Sequence, residues 1–221
     1  MQSRKYFSEE LNRLRQDILA VAIRVEENIG KALTALRTRD SELAAQVRAD
    51  DAEVDALQYK IEDDAAILIA TQQPVARDLR EMVTIFKLTG SIERIGDHAV
   101  HLAKAAKKLS KKRESPFSAQ EHLEKMAHTG QLMIRAAISA YMTQDSQAAR
   151  EAAFMDNMID SEHKLLTENI LKVMKKNPAL VKTAVQILNT SGQLERLGDH
   201  ITNICEAVIY MAEGKHEELN E

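Results

Sequence analysis

The chain has 221 residues, enough for one large domain or two small ones, and its formal net charge of −4 argues against a nucleic-acid partner, which would need a basic face. Three prolines, seven glycines, no tryptophan and 4% aromatics exclude a β fold with many tight turns, and the dominance of Ala, Leu, Ile and Met is helix chemistry. The single cysteine, Cys205, excludes an internal disulfide framework and a thiolate zinc site. With no signal peptide and no apolar run of spanning length, a soluble, all-α, cytoplasmic protein is expected.

The first helical pattern opens at Ser8 and runs through Leu11, Leu14, Ile18, Val21, Val25, Ile29, Leu33 and Leu36 in steps of three and four. Asp40 reads as the N-cap of a second helix, whose apolar positions Val47, Val54, Leu57, Ile61 and Leu68 lead to Gln73-Pro74. Pro74 suits the first turn of a third helix, which should bury Ile85, Leu88, Ile92, Ile95, Ala99 and Leu102. A charged stretch from Lys107 to Pro116 follows.

Then the pattern repeats. Thr38-Arg-Asp-Ser41 returns as Thr143-Gln-Asp-Ser146, shifted by 105 residues, and Gly90-Ser-Ile-Glu-Arg-Ile-Gly-Asp-His98 returns as Gly192-Gln-Leu-Glu-Arg-Leu-Gly-Asp-His200, shifted by 102. Such self-similarity is the mark of a duplication. The expected fold is all-α, a tandem duplication of a three-helix bundle with six long helices. The first repeat is assigned to residues 1–112 and the second to 113–221, joined near Ser110 to Ser118.

Acidic residues four apart lie one above the other on a helix, a mildly repulsive arrangement. Four such pairs fall inside the repeats: Asp51/Asp55, Glu93/Asp97, Asp156/Asp160 and Glu195/Asp199. A chain this acidic produces several pairs by chance, so placement carries the argument. Each pair has a counterpart in the other repeat. Counted from the turn at Gln73, Asp51/Asp55 and Glu93/Asp97 both sit roughly 30 Å away, level on antiparallel neighbours. The helical wheel puts them on an outer face of each bundle rather than in its core. Four carboxylates at one level either bind cations or shift their pKa values upward. An all-oxygen site suits Mg²⁺, Ca²⁺, Mn²⁺ or iron, with zinc possible if histidine joins. The plain alternative is a solvated acidic face paired with Arg94 and Arg196. His98 and His200 follow each Asp but point about 100° away from it.

Gln73-Pro-Val-Ala-Arg-Asp-Leu-Arg80, with Glu93-Arg-Ile-Gly-Asp97 and Glu195-Arg-Leu-Gly-Asp199, resembles the PhoU family of phosphate-transport regulators over essentially the whole chain. The resemblance implies a cytoplasmic protein of two three-helix bundles and, as in those members that carry iron or zinc clusters, metal ligands at Asp51, Asp55, Glu93, Asp97, Asp156, Asp160, Glu195 and Asp199. It also implies partnership with the ATPase of the phosphate ABC transporter and with the sensor histidine kinase of the phosphate response, both restrained when phosphate is plentiful. A homodimer is the expected assembly, with membranes met only through partners. The repeats depart from each other after Gly-Asp-His: the second has Asn203 and Glu206, in line with the family's Asn-Ile-x-Glu, where the first has His101 and Lys104. Equal metal content in the two bundles is therefore not implied.

Two other readings compete. A di-iron carboxylate enzyme would want Glu-x-x-His motifs pointing into a bundle core, and the nearest match, Asp160-Ser-Glu-His163, occurs in one repeat only. A metal-free helical scaffold is the other. No Gly-rich phosphate loop or nucleophile constellation is present, so the chain is not expected to be an enzyme. The basic run from Lys104 to Arg113 reads as a solvated helix end, and Cys205 as a small core residue.

Overall fold

The computed structural model describes residues 2–109 and 119–219, and every regular element among them is helical. The elements are α1 (Gln2–Thr38), α2 (Ser41–Gln72), α3 (Arg77–Leu109), α4 (Ala119–Thr143), α5 (Ser146–Phe154), α6 (Asp156–Lys176) and α7 (Val181–Glu213), with a 3₁₀ turn at Pro178–Leu180 before α7. The proposed junction near Ser110 to Ser118, and with it the boundary at 112, lies outside the described residues.

Local chemistry explains the punctuation. The Asp40 carboxylate accepts from the backbone N–H groups of Glu42 and Leu43 at 2.9 and 3.0 Å, and Asp145 does the same for Gln147 and Ala148. Each cap follows a residue in the left-handed region, Arg39 at φ 60° and Gln144 at φ 56°, so the duplication extends to the backbone of the turn. Three expectations change in detail. Helix α1 begins at Gln2 rather than Ser8, whose hydroxyl donates back to the Arg4 carbonyl within the helix. Pro74 precedes α3 rather than entering it, because Ala76 adopts a positive φ of 48° and delays the helix to Arg77. The middle helix of the second repeat is split: at Met155 the chain tightens into i→i+3 bonds, Met155 N–H to Ala152 and Met158 N–H to Met155.

Within each repeat the three helical layers pack on one another, and equivalent helices also meet between repeats, α1 along α4 and α3 along α7. Contact between equivalents is the signature of an internal pseudo-two-fold axis. It passes near His98 and His200, whose rings stack with centroids 5.4 Å apart. The stripes read from the sequence are buried: Ile18, Val25, Ile29, Val54, Ile61, Ile85, Leu88 and Ile95 are all fully enclosed. The buried side chains of both repeats form one contiguous core, with Cys205 inside it. Among the described residues, no helix is long and apolar enough to cross a membrane.

Candidate metal centre

The fold brings the four carboxylate pairs together two by two. In the first repeat, burial raises the Asp51 carboxyl to about 6, with added repulsion from Asp55, Asp97 and Glu93. Burial likewise raises Glu93, with Asp97 and Asp55 repelling it. In the second repeat Asp156 is pushed up to about 7 by burial, then by Asp160, Asp199 and Glu195. Asp160, Glu195 and Asp199 are also raised, in each case first by burial. The level pairing estimated from helix rise is therefore realised in both bundles.

Placement on an outer face holds for most of these groups, which are half-buried or exposed, but not for Asp156. That side chain is 8% exposed, and its Oδ1 has no hydrogen-bond partner. The break at Met155 sets Asp156 in the first turn of α6, turned toward α7. The glycine of Glu-Arg-x-Gly-Asp makes room for it. A Cβ on Gly198 would lie 2.0 Å from Asp156 Oδ1, and one on Gly96 would lie 2.8 Å from Asp51 Oδ1. Glycine inside a helix costs about 1 kcal/mol relative to alanine, so its occurrence at one place in both repeats was a signal of close approach by a neighbour. The flanking acids mark the cluster in the sequence, and the glycine between them marks the helix that approaches it.

The two clusters are not equivalent. His163, one turn beyond Asp160, lies close enough to counter the rise of both Asp160 and Glu195, and its buried Nδ1 makes no hydrogen bond. Its counterpart in the first repeat is Gln58, which donates to Glu62 at 3.0 Å. Lys104 instead counters the rise of Asp51, so the first cluster has a resident cation. Arg94 contacts Glu93 and Asp97, both at 3.4 Å, but is largely exposed, and such pairs contribute about 0–1 kcal/mol. His98 and His200 face each other across the pseudo-axis, and His98 Nδ1 pairs with Gln193 Oε1 at 2.9 Å.

Carboxylates with an imidazole at hand are a donor set for iron or zinc, and the orphaned Asp156 oxygen is one such donor in place. Among the described residues, no three His, Cys, Asp or Glu side chains converge on one point. Ligation of a single ion by three of them would require side-chain rotation.

A measurable pH dependence follows for metal-free protein. The fold raises Asp156 from an ordinary carboxylate value to about 7, so it favours the protonated form. That contribution is complete below about pH 4, the unfolded value, and is lost as pH rises through 7. Melts in chelator should therefore show stability falling from pH 5 to pH 8, by about 2 kcal/mol after screening, and Asp156→Asn should flatten the trend. A wild-type trend no steeper than that of the variant would show that Asp156 ionises without penalty.

The comparisons with known proteins bear on this geometry. The family model described as the PhoU domain matches residues 18–106 and 123–208, one match per repeat. The chain belongs to the PhoU family. A phosphate-specific transport system accessory protein PhoU homolog from Clostridium acetobutylicum is 34% identical over 99% of this chain and 100% of its own length. The Pseudomonas aeruginosa homolog is 34% identical over 94% and 86% of the two chains. The crystal structure of PhoU from P. aeruginosa superposes with a TM-score of 0.90 at 32% identity, covering 95% of this chain and all of that one. The phosphate transport system regulatory protein PhoU from Streptococcus pneumoniae gives 0.87 at 31% identity, covering 96% and 99%. PhoU-family membership and the all-α duplicated fold thus rest on the whole chain. These relatives are named as accessory and regulatory proteins of phosphate transport, and a regulatory role is consistent with that.

Proposed function

We propose that the chain is a cytoplasmic negative regulator of phosphate uptake and of the phosphate-starvation response. It acts by binding, through contact with the phosphate transporter ATPase and the phosphate-response sensor kinase, and works as a homodimer without catalysis of its own. The observation that carries this reading is similarity along the full chain to accessory proteins of phosphate-specific transport. Loss of the protein should derepress phosphate-starvation genes in high phosphate. Reporter activity that stays low in a deletion strain would count against it.

The carboxylate clusters are proposed to hold metal, iron or zinc before Mg²⁺, Mn²⁺ or Ca²⁺, with the second cluster the stronger site. The orphaned Asp156 oxygen and the nearby His163 support that order. Asp156, Asp160, Glu195 and Asp199 would hold the ion, and Asp51, Asp55, Glu93 and Asp97 their own more weakly beside Lys104. A bound cation turns mutual repulsion into attraction and stabilises the fold by RT ln(1 + [M]/Kd), about 2.7 kcal/mol at a hundredfold excess over Kd. Glu195→Gln with Asp199→Asn removes two charges at nearly constant volume. Metal analysis and melting should show that this variant loses the second site and its metal-dependent stabilisation while keeping the first. If wild type melts alike with and without chelator, and the variant melts higher from relieved repulsion, the clusters are solvated acidic faces.

A further inference from the structure

We propose that a cavity where α1, α3 and α4 meet binds the phosphoryl group of a small phosphorylated metabolite. The cavity, about 580 Å³, lies where the N-terminal part of α1 and the start of α3 meet the C-terminal end of α4. That volume is within the range of small-molecule sites. Arg77, from the Gln-Pro-Val-Ala-Arg-Asp-Leu-Arg segment, lines it, some 24 Å along α3 from the carboxylates at the helical rise of about 1.5 Å per residue. The proposal is independent of the metal reading.

Its inner wall is built and rigid. Arg15 makes a two-pronged bridge to Glu81, Nε to Oε1 at 2.6 Å and Nη2 to Oε2 at 2.8 Å, and the Glu81 side chain is only 4% exposed. Gln144 Nε2 donates to the same carboxylate at 3.4 Å, while its Oε1 accepts from Arg77. Arg15 also donates to Asn12 Oδ1 at 3.0 Å, which orients that amide with its NH₂ unused. Charge in the cavity is then easily counted. Arg15 and Glu81 cancel, and Asp78 contributes one negative charge. Arg4 and Arg77 have no carboxylate partner among the described residues. Beside the bridge, the Tyr141 hydroxyl is enclosed, at 1% exposure, next to the Arg15 guanidinium.

The duplication supplies an internal control. At the pseudo-equivalent end of the molecule, the positions of Arg15, Arg77, Glu81 and Tyr141 are taken by Gln120, Ala179, Thr183 and Leu36. The same helices pack and turn there without the bridge. Buried ion pairs contribute little net stability, so packing does not account for keeping one at this end. At this end the bridge anchors Gln144, which in turn accepts from Arg77.

The donors select the ligand. Guanidinium forks match the paired oxygens of phosphate, and Arg4 and Arg77, neither held by a carboxylate, leave the cavity positive after Asp78 is counted, which suits an anion. The Ser8 and Thr143 hydroxyls donate to the backbone carbonyls of Arg4 and Ser139, at 3.0 and 2.9 Å, so their oxygens remain acceptors. With Asp78 they suit the hydroxyl groups of a sugar. A sugar or nucleoside monophosphate fills more of the cavity than inorganic phosphate, which shares the anionic chemistry.

Isothermal titration of the full chain with inorganic phosphate, ribose 5-phosphate, AMP, unphosphorylated ribose and succinate tests the proposal. Phosphorylated probes should bind saturably and ribose should not. Arg77→Gln and Arg4→Gln, both exposed positions, should each weaken binding tenfold or more with unchanged circular dichroism, while Lys182→Gln on α7 leaves it intact. Tighter binding of the esters supports the proposal and names a metabolite; equal binding of inorganic phosphate supports it and names the free ion. No saturable binding of any phosphorylated probe, equal binding of succinate, or affinity unchanged in Arg77→Gln would overturn it.

Discussion

Replacing Arg15 with methionine should destabilise the protein by about 3–5 kcal/mol, because it leaves the Glu81 carboxylate enclosed without its cation. At this chain length that corresponds to a fall in melting temperature of roughly 10 °C. Glu81 sits on α3 and Arg15 on α1, and Gln144 from the second repeat completes the group, so the loss would loosen the contact between repeats as well as the first bundle. The double change Arg15→Met with Glu81→Met should restore most of the stability, since two apolar side chains of similar volume need no partner. Urea denaturation of the three variants checks both statements. A single variant within 1 kcal/mol of wild type would mean that water reaches Glu81 through the cavity.

Alanine at two glycines of α7 should act in opposite directions. Gly192 has open space where a Cβ would go, so Gly192→Ala should stabilise by about 1 kcal/mol through helix propensity. At Gly198 the new carbon would fall 2.0 Å from Asp156 Oδ1 and 3.2 Å from the Ile159 Cδ1 methyl. A buried carboxylate must move, and overpacking of this kind costs about 1–3 kcal/mol, more than the propensity gained. Helix propensity is gained equally at both positions, so the two variants should differ by the overpacking cost, about 1–3 kcal/mol. Because the displaced group is a proposed ligand, Gly198→Ala should also weaken any metal-dependent stabilisation, whereas Gly192→Ala should not. Equal stabilisation by both would show that Asp156 is free to swing away.

The sequence by itself determined the helical class, the duplication and the level pairing of the carboxylates. Helical rise and the 3.6-residue period are local properties, so apolar positions three and four apart identify a buried face wherever the partner lies. The Glu-Arg-x-Gly-Asp repeats carried the family with them. The same periodicity could not show that the repeats share one core, because contacts of α1 with α4 and α3 with α7 join residues far apart in the chain. A helical wheel also assumes an unbroken helix. The tight turn at Met155 re-aims Asp156, and the wheel's outer-face placement fails for that residue. His163 was visible as one half of a motif, but its nearness to Glu195 depends on how α6 meets α7. Arg15 and Glu81 carried no signal at all: a buried ion pair separated by 66 residues looks, along the chain, like two ordinary charges on two solvated helices. Long-range pairing of charges is set by where helices cross, and only the tertiary structure decides that.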